Sequence, residues 1–422
     1  MSRNYLADYN LTAVSAALRE TALNTEQTLS HCMLLPKTAI GVLDPRREDN
    51  KSQATGKEEP DTVYDLGAMS SFPMPFDPAQ AQHFAFGLSF GLGVSVPSAW
   101  GSGYEHAITP VSGMDLPAFT SAQRVGLAMM KRRLASMYVD DLKATFAKDS
   151  WAKLDLGNKG TGKYADNLVE ESVTAAYNAT SLNLAANGVQ GSSAADRIDS
   201  VHKIRVQVPS TGEWVDVAFS AVSGATPAVI TIIAPGVAAT STTYKILYIP
   251  TEPAWCSFPA RVDEPPLRVT DLVVKIGGKW NGTSFVGGHA IGPEIDSLEY
   301  TLKNNVKIEY RTGGTGTYAN SVFREGRVQA INLKQQMRSF FLQQLIKNNE
   351  YFGVYMKATG PEFETGKNYY VQLVFPRCNV LKAPISVDGK ILAEAGDLVV
   401  LQDDTYGSVL AKVANMVSGY AQ

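Results

Sequence analysis

The segment Gly157-Asn158-Lys159-Gly160-Thr161-Gly162-Lys163 comes nearest to a reactive motif in this chain. It has the GxxxxGK spacing of a P-loop, in which backbone N–H groups cradle phosphates and the lysine reaches the outer ones. The following position must then offer a hydroxyl to Mg²⁺. It is Tyr164, which cannot replace Ser or Thr there. The run also follows an alternating, antiparallel-type strand rather than a buried parallel one, so it reads as a flexible glycine loop. His31, His83, His106, His202 and His289 include no pair at metal-ligand spacing and no HExxH. No GxSxG elbow occurs, and Cys32 beside His31 is too local for a triad. Glu58-Glu59, Asp140-Asp141, Glu170-Glu171 and Asp403-Asp404 are adjacent carboxylates. On a strand, neighbours point to opposite faces, which does not suit two-carboxylate glycosidase chemistry. They read as solvated or lining positions. Lys131-Arg132-Arg133 reads as a solvated loop, with a subunit contact as second choice. Cys32, Cys256 and Cys378 form no CxxC and read as buried free thiols in a reducing compartment. No catalytic constellation, cofactor site or metal site emerges, and the chain reads as a non-enzyme.

The bulk numbers narrow the class. A length of 422 residues suggests two or three domains. Hydrophobic residues at 45% and charged residues at 19% supply packed cores. A net charge of −3 and a pI near 6.0 lack the basic excess of a protein that grips nucleic acid. Met1-Ser2-Arg3-Asn4-Tyr5 has no basic region leading into an apolar core, so no signal peptide is expected. No stretch approaches the roughly 18 apolar residues that cross a bilayer. Assembly in the cytoplasm, away from membranes, is the expectation.

The elements that would position these residues are mostly strands. Residues 44–61 are charged and read as an exposed loop. Asp77-Pro78 opens a helix, with Asp77 as cap and Pro78 in the first turn; Ala81, Phe84, Ala85 and Leu88 follow at helical spacing, and Gly91 and Gly93 end it. Met137 to Leu156 reads as two antiparallel strands turning near Lys148-Asp149. Leu168 to Tyr177 fits a helix. Residues 187–254 carry period-two strands at 203–208, 215–220, 229–233 and 244–248, which predict an inserted small β-domain of sandwich type. Strands are expected at 267–276, 295–310 and 325–333, then a helix at 335–347 with Met337, Phe340, Phe341 and Leu345 on one face. Further strands at 351–358, 369–375, 391–402 and 409–417 are separated by turns at Gly360-Pro361, Gly366-Lys367, Asp388-Gly389 and Tyr406-Gly407. The domain reading is 1–186 and 255–422 together, interrupted by 187–254.

The order of several motifs resembles the tail tube proteins of long-tailed bacteriophages. Gly56-Lys57-Glu58-Glu59-Pro60 precedes the Asp77–Gly93 helix, like the family's acidic "GxEE" stretch and its helix ending in "LG". Gly103-Tyr104-Glu105-His106-Ala107-Ile108-Thr109-Pro110 is similar to "GYxHxFTP", and Leu116-Pro117-Ala118-Phe119-Thr120 to "LPSFT". Ile295 to Val306 resembles the long strand "ISxFxLTIDNNL"; Glu325-Gly326-Arg327 and Tyr370 to Val380 fit the closing pattern. The resemblance spans roughly two thirds of the chain and leaves out 187–254. It implies a mainly β fold with one or two α-helices, a β-sandwich or barrel whose inner strands join a ring-wide barrel. It implies stacked hexameric rings forming a tube in the virion tail, with other tail proteins at its ends. Genomic DNA would pass through the lumen without specific binding, and a lining without excess cations suits that passage. Asp140, Asp141, Glu299 and Glu309 are the lumen-facing candidates. Asp44, Arg46, Arg47, Glu48, Lys57, Glu58 and Glu59 are the inter-ring candidates. The alternatives are another β-rich virion part, such as a tail terminator, a decoration protein or a contractile-tail tube, and a carbohydrate-binding adhesin module carried by 187–254.

Overall fold

Strands hold 53% of the described residues and helical turns of all kinds 10%, with three α-helices, so the mainly β class is borne out. The computed structural model describes residues 6–54, 56–113, 116–126, 130–314 and 316–422. The Met1–Tyr5 segment lies outside the described residues. The chain forms two units. The larger comprises residues 14–121, 134–163 and 260–422, and the smaller residues 1–13, 122–133 and 164–259.

The principal elements of the larger unit are β1 (Val42–Asp49), β2 (Val63–Phe76), α1 (Ala81–Leu92), β3 (Gly93–Trp100), β4 (Gly103–Pro110), β5 (Met130–Ala147, in this unit from Leu134) and β6 (Lys153–Gly160). After the smaller unit come β7 (Leu272–Trp280), β8 (Ile295–Lys303), β9 (Val328–Gln336), α2 (Phe341–Asn348), β10 (Phe352–Glu364), β11 (Lys367–Lys382), β12 (Ile385–Asp388), β13 (Ile391–Leu401) and β14 (Leu410–Asn415). One antiparallel branch runs β1-β2-β6-β5-β8-β9-β13-β12. A second runs β3-β4-β14-β11-β10-β7. They meet at β11, whose Tyr370–Val374 half pairs with β14 and whose later half pairs with β13. No closed barrel forms among the described residues.

Helix α1 is hydrophobic around its whole circumference, AQHFAFGLSFGL, and all of its residues are buried. Its glycines allow close approach to the first branch. A Cβ on Gly87 would meet Leu154 and Leu156, and one on Gly91 would meet Leu302, Val139 and Leu142. Phe86 and Phe90 stand edge-on to Phe119 at 5.1 and 5.3 Å. The expected Asp77 cap is corrected. The cap position is Gln80, and Asp77 instead holds Lys153 at 2.6 Å. The Gln80 N–H donates to His83 Nδ1 at 3.1 Å, and the free N–H of Gln82 in the first turn donates to buried Glu264 Oε2 at 3.0 Å, so a carboxylate 182 residues away adds to the cap. Gly93, at φ 138°, ends the helix as expected, whereas Gly91, expected to end it too, lies within it.

The hairpin expected over Met137–Leu156 is present as β5 and β6. Four other expectations change. The Gly157–Lys163 run is no flexible loop, because Gly157–Gly160 lie in β6 between β2 and β5. There, small residues let neighbouring strands approach, and a Cβ on Gly160 would strike Met137 and Ser70. Residues 44–61 are largely strand and turn of the β1–β2 hairpin. The helix expected at 335–347 starts only at Phe341, since Gln335 and Gln336 continue the β9 ladder opposite Glu394 and Ala393. Its buried residues are Leu342 and Leu345, while Phe340 is 74% exposed. Gly360-Pro361 makes no turn, because bulges in β10 absorb both residues and the turn comes at Gly366.

The smaller unit has a four-stranded sheet in the order Val169–Ala176, Ser241–Tyr248, Val201–Gln207, Trp214–Asp216. A three-stranded sheet orders Ser181–Asn183, Val229–Ile232, Phe219–Val222. Leu182, Ile204, Val206, Ile230, Tyr244 and Ile246 form its core. The segment read as a possible helix is strand Val169–Ala176, laddered along all of Ser241–Tyr248. This moves the unit's boundary back from residue 187 to Tyr164. Ser193 caps the short helix Ala194–Ser200 by accepting the Asp196 N–H at 3.1 Å.

Candidate assembly surfaces

Alternation on the first branch sends Leu142, Ala144, Phe146, Leu298, Tyr300, Leu302, Leu154 and Leu156 into the core. It sends Asp141, Lys143, Asp155, Glu299, Lys303 and Asn332 to the opposite face. Acid and base alternate across the ladders. Asp155 stands opposite Lys143 and Asp141 opposite Lys303. Lys143 Nζ reaches Glu299 Oε2 at 2.8 Å. Partial burial raises the Asp155 carboxyl above its ordinary value; Asp77 and Glu299 add to this, and Lys143 and Lys153 oppose it.

Two of the lumen candidates, Asp141 and Glu299, therefore share one polar face. Asp140 does not join them. A bulge between Val139 and Asp141 makes Asp140 the extra residue, and it is buried, 6% exposed. Its Oδ1 accepts the Val306 N–H at 2.6 Å and its Oδ2 holds Lys159 at 2.7 Å. A carboxylate so engaged is a structural clamp, and its candidacy as a lining residue is withdrawn. Glu309 lies on the separate two-stranded ladder Val306–Glu309/Ser321–Arg324 and pairs with Arg311 at 3.0 Å. The strand expected through 310 breaks at Asn304-Asn305. Asn304 turns inward to donate to Gly91 O and Val139 O, both at 2.9 Å, and Asn305 takes φ 50°.

The second surface is a hairpin arm. β2 pairs with β6 only from Ser70 onward, so Val63–Met69 has β1 as its sole strand partner among the described residues. Asp44, Arg46, Arg47 and Glu48 on β1 and Lys57, Glu58 and Glu59 in the turn are all exposed. So are apolar Val42 (52%), Val63 (62%), Tyr64 and Leu66. Buried Asn50 closes the turn, its Oδ1 accepting from the Asp61 and Thr62 N–H groups at 3.0 and 3.3 Å. Lys57 Nζ holds Asp61 at 2.6 Å and is the main reason its carboxyl sits below the ordinary value. At the root, the Tyr310 hydroxyl donates to Ala68 O, and the Arg46 guanidinium lies 5.2 Å from the Tyr310 ring centre.

Sequence reasoning missed a third surface. Every residue of β12 is exposed, and its only strand partner among the described residues is β13. Leu381 (67%), Val387 (69%), Ile385, Ile391 and Leu392 present apolar side chains to solvent there. Ile385-Ser386-Val387 before the Asp388-Gly389 turn carried the period-two signal that would have found it.

The motifs weighed for chemistry have structural partners instead. Thr161 bonds Asn24, and Lys163 Nζ donates to Asn24 O at 2.7 Å and meets Glu26 at 3.2 Å. The basic run is not a solvated loop. Lys131 pairs with Glu252 at 2.7 Å, Arg132 clamps Asp166 through two bonds, and Arg133 lies over the Trp255 ring. His83 stacks on Phe76 at 4.1 Å, and its burial pushes its titration down to about 3. Cys32, Cys256 and Cys378 are buried and free, with burial raising the Cys256 thiol to about 12. Glu171 accepts from the Tyr248 hydroxyl at 2.6 Å, and Asp403 caps its own turn through the Thr405 and Tyr406 N–H groups. Among the described residues no group of His, Cys, Asp and Glu is placed to hold a metal, and no helix is long and apolar enough to cross a membrane. No family model and no curated protein matches the chain.

Proposed function

We propose that this chain is a structural subunit that polymerises as stacked, hexameric rings into a phage tail tube, the conduit for genome ejection in the virion. The observation that carries the reading is the β1–β2 arm. A two-stranded ribbon exposed on both faces is marginal in water by itself. Apolar Val42, Val63, Tyr64 and Leu66 beside Asp44, Arg46, Arg47, Glu48, Lys57, Glu58 and Glu59 equip it to bind another copy in the next ring.

Two further features support it. Among the described residues the first branch ends in two edges, β1 and β12, each with a partner on one side alone, and unlike edges on one molecule favour head-to-tail contacts that close into rings. The Asp141/Glu299 face interleaves acids with lysines, so it offers no continuous cationic track to hold DNA phosphates. The sandwich or barrel with ring-wide inner strands, the tail proteins at the tube ends and the unbound passage of DNA belong to the same proposal. Electron microscopy of the concentrated protein tests it. Long hollow tubes with a regular axial repeat are expected; a preparation of monomers alone at every concentration would sink the reading.

A further inference from the structure

Lys131, Asn167 and Glu252 meet inside the smaller unit in a way that tube assembly does not require. Glu252 bridges the other two. Its Oε2 holds Lys131 Nζ at 2.7 Å, and its Oε1 accepts from Asn167 Nδ2 at 3.2 Å. The two bridged residues are already paired through the backbone, since the Asn167 N–H donates to Lys131 O at 3.0 Å. The Lys131 N–H in turn donates to Asn167 Oδ1 at 2.7 Å. Asn167 is 3% exposed, and the ammonium is further held by Cys256 O at 2.8 Å. Glu252 is itself fixed, its N–H donating to Gln190 Oε1 at 3.1 Å.

An amine, a carboxamide and a carboxylate touching both are the parts of an amide-exchange reaction. We propose that Lys131 and Asn167 form an intramolecular isopeptide bond, with Glu252 as the proton shuttle. Glu252 takes a proton from the Lys131 ammonium, and the freed Nζ lone pair attacks Asn167 Cγ. The Lys131 N–H at Oδ1 sits where negative charge develops on the carbonyl oxygen. The new Nζ–Cγ bond replaces the Cγ–Nδ2 bond. Glu252 returns its proton to Nδ2, which leaves as ammonia, and the second Nζ proton goes to solvent. No oxidant, metal or nucleotide is consumed. Fixed juxtaposition replaces the encounter that makes amide exchange slow between free molecules. The product would staple two neighbouring strand segments of the smaller unit and close the chain from 131 to 167 into a covalent loop, which restricts the unfolded state as a disulfide does.

The plain alternative is an ion pair that stays an ion pair, and intact-mass spectrometry separates the two. The purified full chain is expected to be lighter than its sequence mass by one ammonia, with a cross-linked peptide containing Lys131 and Asn167 after proteolysis. Lys131→Arg and Asn167→Ala should each restore the mass calculated from their sequences. Glu252→Gln keeps a neutral side chain of the same shape and should leave the bond unformed while circular dichroism matches wild type. A wild-type chain at its sequence mass after prolonged incubation at neutral pH would overturn the proposal, whatever the variants do. So would a mass loss that persists in Lys131→Arg. The readout needs no tube, so it stands or falls apart from the assembly reading.

Discussion

Helix α1 and the β1–β2 arm are opposites built by one chain only a few residues apart. The helix is buried at every position and closed off at both ends, by Glu264 at its start and Gly93 at its finish. The arm is exposed at nearly every position and rests on Tyr310 only at its root. Burial of apolar area makes the helix a source of stability, and its absence from the arm leaves the arm's side chains free for a partner. The contrast separates what folds the subunit from what joins subunits.

The contrast is sharpest at the core. Phe86→Ala should cost about 3–5 kcal/mol of folding stability, measured by denaturant titration, because Phe86 is fully buried against Phe90 and Phe119. A small loss would mean that α1 does not organise the core.

The helix cap should make stability depend on pH. Burial pushes the Glu264 carboxyl up from 4.5 to about 7, outweighing the N–H groups of Met416 and Gln82 that pull it down. Folding therefore raises its proton affinity. That contribution is fully present below pH about 4.5 and is lost as pH rises through about 7, on the order of 1–3 kcal/mol. Glu20, also raised chiefly by burial, acts in the same direction, so the comparison must be between wild type and Glu264→Gln. The variant should show a flatter fall in stability between pH 4.5 and 7. Parallel curves would remove Glu264 from the account.

Next come the adjacent acids at the β5 bulge. Asp140→Ala leaves the Val306 N–H and Lys159 without their partner and should cost about 1–3 kcal/mol. Asp141→Asn, on the exposed face, should stay within about 0.5 kcal/mol. Equal effects would contradict the burial of Asp140 beside an exposed Asp141.

These same acids show how far the sequence could be read. Periodicity found β5, β6 and α1, because their apolar residues recur at the spacing their burial demands. Of the four lining candidates named with the family resemblance, Asp141 and Glu299 lie on one face. Periodicity could not place Asp140, since a single inserted residue breaks the alternation without changing composition. The arm escaped for a related reason: with both faces in solvent, β1 has no alternation to detect. The Gly157–Gly160 strand hid because glycines that admit close strand contact look like loop glycines in sequence. The start of α2 depended on β13 extending the β9 ladder from far along the chain. The Lys131–Glu252–Asn167 contact joins residues well separated in sequence, with no spacing to betray it.

The smallest effect on the isolated subunit should come from the arm itself. Val63→Ser with Tyr64→Ser should move monomer stability by no more than about 0.5 kcal/mol, because both residues are exposed and neither is in the core. A larger loss would show that the arm packs on its own subunit.

Removing the arm beyond its root, by joining Pro45 to Ala68 through a short glycine turn, tests the central claim most directly. Sedimentation velocity of wild type and variant at matched concentration is the measurement. The expected result is a polymer for wild type and a species no larger than one ring for the variant, with the same unfolding midpoint for both. Polymers of equal length from the two chains would contradict the assignment of the arm as the joint between rings.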